Sequence, residues 1–137
     1  MRVLALAEWE ELQAAAQRFS DVDYKFLRKP ETGLVMLQGR MGGTGSPFNV
    51  GETTVTRCSI TLGSNTEGHA YIMGRNVEHA KLAAICDALL QDETQHEAVF
   101  KSVVEPLRKN IAERSLTKRS NAGATKVNFF TMVRGDD

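Results

Sequence analysis

Hydrophobic and polar positions alternate between two periods along this chain, and the change of period marks the elements. Trp9, Leu12, Ala16 and Phe19 recur at helical spacing, with Glu8, Glu10 and Glu11 at the start, where acids favour the positive end of a helix. This predicts a first amphipathic helix that ends near Asp21 and Asp23. The period then shortens to two. YKFLRKP and GLVMLQGR read as strands joined by Glu31-Thr32-Gly33, a predicted hairpin in which Pro30 is compatible only with an edge. In TTVTRCSITL, Val55, Arg57, Ser59 and Thr61 share one face, and Thr54, Thr56, Cys58, Ile60 and Leu62 share the other. A turn over residues 63–68 leads to a fourth strand, His69 to Met73.

Helical spacing returns after Gly74. Asn76 is placed to cap a helix from Val77 to Leu90, with Leu82, Ile85, Cys86 and Leu89 on one face. Val99, Val103, Leu107 and Ile111 form a third helical stripe, and Pro106 within it predicts a kink or a restart in a first turn. SLTKRSNAGATK is polar and weakly patterned and reads as a linker or extended arm. VNFFTMVRGDD is apolar again. The prediction is an α+β fold. An antiparallel sheet of about four strands, two hairpins in series, is packed by helices and followed by an extended C-terminal arm. The domain spans 1–113, and a basic linker with an apolar tail spans 114–137.

Composition adds limits. The 137 residues suit one core, and the formal net charge of zero argues against a general polyanion binder, so no nucleic acid is expected. Charge is uneven, however. Lys101, Arg108, Lys109, Arg114, Lys118, Arg119 and Lys126 face only Glu105 and Glu113 in the same stretch. Cys58 and Cys86 stand in apolar contexts without a CxxC pair, which fits buried thiols in a reducing compartment. No run approaches a membrane span and the N-terminal apolar run is short, so a cytoplasmic protein is expected.

The richest candidate for chemistry is RMGGTGSPFNVGETTVTRC, residues 40–58. It is not a phosphate loop of the GxxxxGK[ST] type. No lysine follows the glycines, Pro47 comes close behind, and the next element is a strand. Two readings stay open. Backbone N–H groups at Gly42, Gly43 and Gly45 can nest an anion, with Thr44 and Asn49 beside it and Arg40 and Arg57 adding bidentate contacts. Alternatively the run is a wide turn that needs positive φ. Glu52, Arg57 and His69 make a possible acid–base cluster at strand ends, or ordinary cross-strand pairs. His79 shares a helix face with Leu82 and Cys86, as a proton shuttle or as a satisfied, partly buried histidine. Cys58, Cys86, His69 and His79 lack zinc spacing, so no metal is expected, and no catalytic set can be read. In the tail, Phe129 and Val133 point one way in an extended chain, and Phe130 and Met132 the other. That suits a partner surface or a buried last strand.

RMGGTGSPFNVGETTVTRC, GHAYIMGRNVEHAKLAAICDALLQ and NFFTMVRG, with MRVLALAEWEEL and PETGLVMLQGR, resemble the small G subunit of the bacterial carbon–phosphorus lyase core complex. Residues 92 to 125 match only in general character. The resemblance implies an accessory role in phosphonate catabolism. In that family the subunit acts with the I, H and L proteins to join a phosphonate to C1 of the ribose of ATP, with release of adenine. The product is ribose 1-methylphosphonate 5-triphosphate, and an iron–sulfur J subunit later cleaves the carbon–phosphorus bond. ATP is then a substrate of the complex, with no cofactor bound by this chain. The I subunit is the most direct partner, alongside H, J and a second copy of this chain. The alternative is a self-contained small enzyme or an anion-binding module acting on a phosphorylated ligand.

Overall fold

A computed structural model of the chain describes residues 1–63 and 65–125. Two short helices open it, α1 (Arg2–Leu6) and α2 (Trp9–Ala16), with a 3₁₀ turn at Gln17–Phe19. Three strands follow: β1 (Tyr24–Arg40), β2 (Pro47–Leu62) and β3 (Glu67–Met73). They pair antiparallel in the order β1-β2-β3. The helices α3 (Val77–Leu89), α4 (His96–Val99) and α5 (Glu105–Ala124) complete the described chain. The class is α+β, as the sequence predicts.

Among the described residues the sheet has three strands where four are predicted. The first predicted hairpin does not form, because Glu31, Thr32 and Gly33 run straight through β1 opposite Arg57, Thr56 and Val55. Gly33 has no positive φ, so no turn is made there. Pairing with β2 gives most of the 17-residue strand a partner along its length, whereas a local hairpin would satisfy only its own short arms. Pro30 lies on an edge strand within a register shift between Arg28 and Glu31, where its missing N–H is tolerated. The wide turn expected ahead of TTVTRCSITL also shrinks. β2 already begins at Pro47, and Phe48 and Val50 are strand formers that Asn49 and Gly51 disguise.

One face of the sheet is packed. Thr56, Cys58, Ile60 and Leu62 alternate inward along β2 and meet Ala70 and Ile72 of β3. Over them lies α3, in which Ala80, Leu82, Ala83, Ala84, Ile85, Cys86, Ala88 and Leu89 are all buried. The alanines allow a very close approach. A Cβ on Gly68 would stand 2.0 Å from the carbonyl oxygen of Ala84. Asn76 caps α3 as predicted, its Oδ1 accepting from the His79 N–H at 2.9 Å. Thr56 is fully buried, and its hydroxyl donates to the carbonyl of Gly74 at 2.7 Å. Leu4, Leu12, Val99, Val103 and Leu107 close the core from the remaining helices.

A π-helical turn over Phe100–Val104 precedes α5, and Pro106 occupies the first turn of α5. Proline cannot donate to the preceding turn and crowds it, and the widened turn accommodates both. Pro106 thus sits in a first turn as predicted, while the backbone stays helical through Val104 and Glu105 and does not restart. The predicted extended linker does not form. SLTKRSNAGATK is helical through Ala124, and the boundary expected at 113/114 falls inside α5. Arg114 pairs with Glu8 at 2.9 Å and Glu11 at 3.4 Å, and Asn110 donates to Glu11 at 3.2 Å, so α5 is tied to α2. Phe129, Phe130, Met132 and Val133 lie outside the described residues.

Candidate functional site

β1 and β2 outlast β3. Because β3 ends at Met73, opposite Val55, the segment 34–54 leaves the sheet as a two-stranded ribbon. Its tip is a 3₁₀ turn, Met41–Gly43, with φ of 59° at Gly42 and 82° at Gly43. Only glycine adopts both values readily, which accounts for the glycine pair. The Gly45 N–H donates to the Met41 carbonyl at 2.8 Å, and Arg40 donates through Nη1 to the Gly45 carbonyl at 3.2 Å. Thr44 stands between the positive-φ pair and Gly45. Across the ribbon, Asn49 Oδ1 accepts from Gln38 at 3.4 Å. The tip thus gathers Arg40, Gly42, Gly43, Thr44 and Gly45, with Asn49 just below.

The second group lies on the sheet face away from the helices. Arg57 donates through Nε to Glu31 Oε1 at 2.6 Å, and Arg28 pairs with the same oxygen. These two guanidinium groups, Arg28 first, hold the Glu31 carboxyl below its ordinary pKa. One register step along, His69 Nδ1 and Ser59 Oγ are 2.9 Å apart, and Glu67 lies 3.8 Å from His69 Nε2. Glu31, Ser59 and Tyr71 are neighbours that the sequence reading does not single out. The missing signal is the β1–β2 register, which places Glu31 against Arg57 only once Gly33 is not a turn.

The other candidates are dispersed. Glu52 pairs with Met36 and lies five positions from Arg57 with no intervening bulge, so the two side chains leave opposite faces of β2. The proposed Glu52–Arg57–His69 cluster is therefore not assembled. His79 is buried in α3, where Nε2 donates to the Leu4 carbonyl at 2.8 Å and the ring lies 6.1 Å from that of Trp9. It ties α3 to α1. Burial pushes the Cys58 thiol up to about 11 and the Cys86 thiol up to about 12, so neither is a ready nucleophile. Among the described residues no three His, Cys, Asp or Glu groups converge as a metal site.

Chemically, the open face suits contact better than catalysis. Glu31 is a fixed carboxylate with its charge already matched, a poor base. Ser59 and His69 form a hydroxyl–imidazole pair, but Glu67 stands beyond hydrogen-bond reach of the ring. The pair also sits on an exposed strand surface instead of in a cleft that excludes water. The nearest depression lies over Gly33, lined by Glu31, Val35, Val55, Arg57 and Tyr71.

Two comparisons bear on the whole chain. The profile of the family described as "Phosphonate metabolism protein PhnG" matches residues 1–135. A protein of Rhizobium meliloti (strain 1021), named "Alpha-D-ribose 1-methylphosphonate 5-triphosphate synthase subunit PhnG", is 41% identical over 138 residues. That alignment covers 100% of this chain and 88% of the relative. Among the described residues no helix is long and apolar enough to cross a membrane.

Proposed function

The chain belongs to the PhnG family of phosphonate metabolism proteins, and from that premise we propose that it is an accessory subunit of a cytoplasmic phosphonate–nucleotide transferase complex. In this reading the complex replaces the adenine of ATP by a phosphonate. The bond from ribose C1 to the base nitrogen breaks, a bond from C1 to a phosphonate oxygen forms, and adenine leaves. The product is ribose 1-methylphosphonate 5-triphosphate. The I, H and L proteins are the co-workers, the I subunit the most direct contact, and the J subunit acts on the product. ATP is a substrate of the complex, and this chain holds no cofactor of its own.

The observation that carries the proposal is the full-length similarity to a protein named as a synthase subunit. The site geometry agrees with an accessory role. Glycosyl transfer needs a developing cation at C1 stabilised and a leaving base protonated, in a water-excluded site. Here Glu31 is neutralised by two arginines, and the Ser59–His69 pair lies open to solvent. Arg57 is likewise committed to Glu31, which weakens the alternative of a free-standing anion site.

The test is reconstitution. Adenine release from ATP and methylphosphonate is followed chromatographically with this chain alone, with the I, H and L proteins alone, and with all together. The expected result is turnover only in the full mixture. Turnover by the lone chain, abolished by His69→Ala, would overturn the proposal in favour of a self-contained enzyme.

A further inference from the structure

The ribbon of residues 34–54 follows less fully a rule that the rest of the sheet obeys. Edge strands are normally blunted by charge, proline, bulges or covering groups. The lower half of β1 has all of the first three: Lys25, Arg28 and Lys29, Pro30, and register shifts around Arg28. The edge of β3 is covered by side chains on or just beyond α3. Asp87 accepts from the His69 N–H at 3.1 Å, and Gln91 donates to the Glu67 carbonyl at 2.7 Å. The ribbon is less protected: it has one register shift, at Leu37/Gln38, and Pro47 near its tip, but no side chain covers its edges among the described residues. Arg40 and Glu52 are its only charged residues. No third strand pairs with β1 or β2 along it among the described residues.

Its apolar side chains also point both ways. Leu34 and Met36 leave one face, 63% and 53% exposed, and Phe48 and Val50 leave the other, 48% and 63% exposed. On that second face Val35 and Leu37 continue the stripe down to Val55, Tyr71 and Met73 of the open sheet face. An isolated two-stranded ribbon is marginal in water, and apolar groups on both of its faces make solvent a poor environment for it.

We propose that this ribbon is a docking arm that enters an apolar, nearly uncharged cleft of a non-identical chain of the synthase and carries the Met41–Ser46 tip into that chain. The inference rests on the subunit reading above. Three observations select the occupant. With one cation and one anion, the arm has no charge excess to hold a lipid headgroup or a nucleic acid. A two-fold pairing of one arm with that of a second copy covers one face and leaves the other in water. A cleft covers both faces, and its walls can pair with the open β1 and β2 edges by strand addition.

The test is co-purification of this chain with the co-expressed synthase chains, using Leu34→Glu on one face and Phe48→Glu on the other. Both sites are exposed, so each variant alone should keep the far-UV circular dichroism and melting behaviour of the parent. Each should weaken capture of the other chains by at least about tenfold in Kd. Loss with only one variant means that one face alone is covered, and overturns the cleft. A parent that forms a dimer by light scattering, reduced to monomer by either variant, assigns the arm to a second copy and also overturns it. Capture unchanged in both variants overturns the docking arm while leaving the subunit reading intact. Failure of the parent to bind any other synthase chain removes both.

Discussion

Two parts of the same sheet live in opposite environments. Between Val55 and Leu62, β2 is flanked by β1 and β3 and roofed by α3, and its inward residues are almost fully buried. Between Pro47 and Thr54 the same strand has, among the described residues, one neighbour strand and no roof, and Phe48 and Val50 are exposed. Both parts are strand, and both contain apolar residues. What differs is the company: alanines packed against Gly68 in one case, open space around Leu34 and Met36 in the other. Among the described residues only the lower part recovers the free energy of burying its apolar groups within this chain, and the proposed docking of the upper part would recover it against another.

Mutations should divide along that line. Ile60→Ala removes a fully buried side chain under α3 and should cost about 2–5 kcal/mol in denaturant unfolding. Gly68→Ala should cost about 1–3 kcal/mol, because the added Cβ has the backbone of Ala84 and Ala88 in its way and α3 must shift. A neutral result there would mean that the helix is not seated as closely as described.

The buried thiols supply a pH signature of the packed part. Their pKa values in the folded chain are raised to about 11 and about 12 from a reference of 9.0, so the folded state keeps protons that the unfolded chain gives up. Stability from this source is complete below pH 9 and falls as pH rises toward 11, by about 1.4 kcal/mol per thiol per pH unit. Cys58→Ser with Cys86→Ala should flatten that slope in unfolding titrations. An unchanged slope would place the thiols in contact with solvent.

Removing the cap in Asn76→Ala should cost about 1 kcal/mol. The smallest effect belongs to the ribbon. Leu34→Ala should change the stability of the lone chain by no more than about 0.5 kcal/mol, despite deleting a large apolar group. A loss comparable to that of Ile60→Ala would break the distinction between the two regions.

Much of the packed region is legible in the sequence, because its signals are local. The alternation Thr56, Cys58, Ile60, Leu62, the Asn76 cap and the place of Pro106 in a first turn each need only a few neighbouring residues to be read. The errors come from long-range pairing. Glu31-Thr32-Gly33 has turn composition, and only the available length of β2 makes it strand. SLTKRSNAGATK has no apolar face, and its helix is continuous with a segment anchored by Glu8 and Glu11, far away in sequence. For the candidate site, the glycine-rich tip is legible, since positive φ demands glycine. The fate of Arg57 is not, because its partner Glu31 depends on the register of a strand read as two. Placing Glu52 with Arg57 and His69 fails on strand parity, since positions five apart in an unbulged strand leave opposite faces.

Hydrogen exchange of the chain, free and assembled with the other synthase subunits, tests the contrast between the regions most directly. In the free chain, amides of 55–62 and of α3 should exchange slowly and those of 34–54 quickly. Assembly should slow the ribbon amides by at least about tenfold and leave the already protected core little changed. Assembly that leaves 34–54 as fast as in the free chain would contradict the account, since the arm would then be outside the interface.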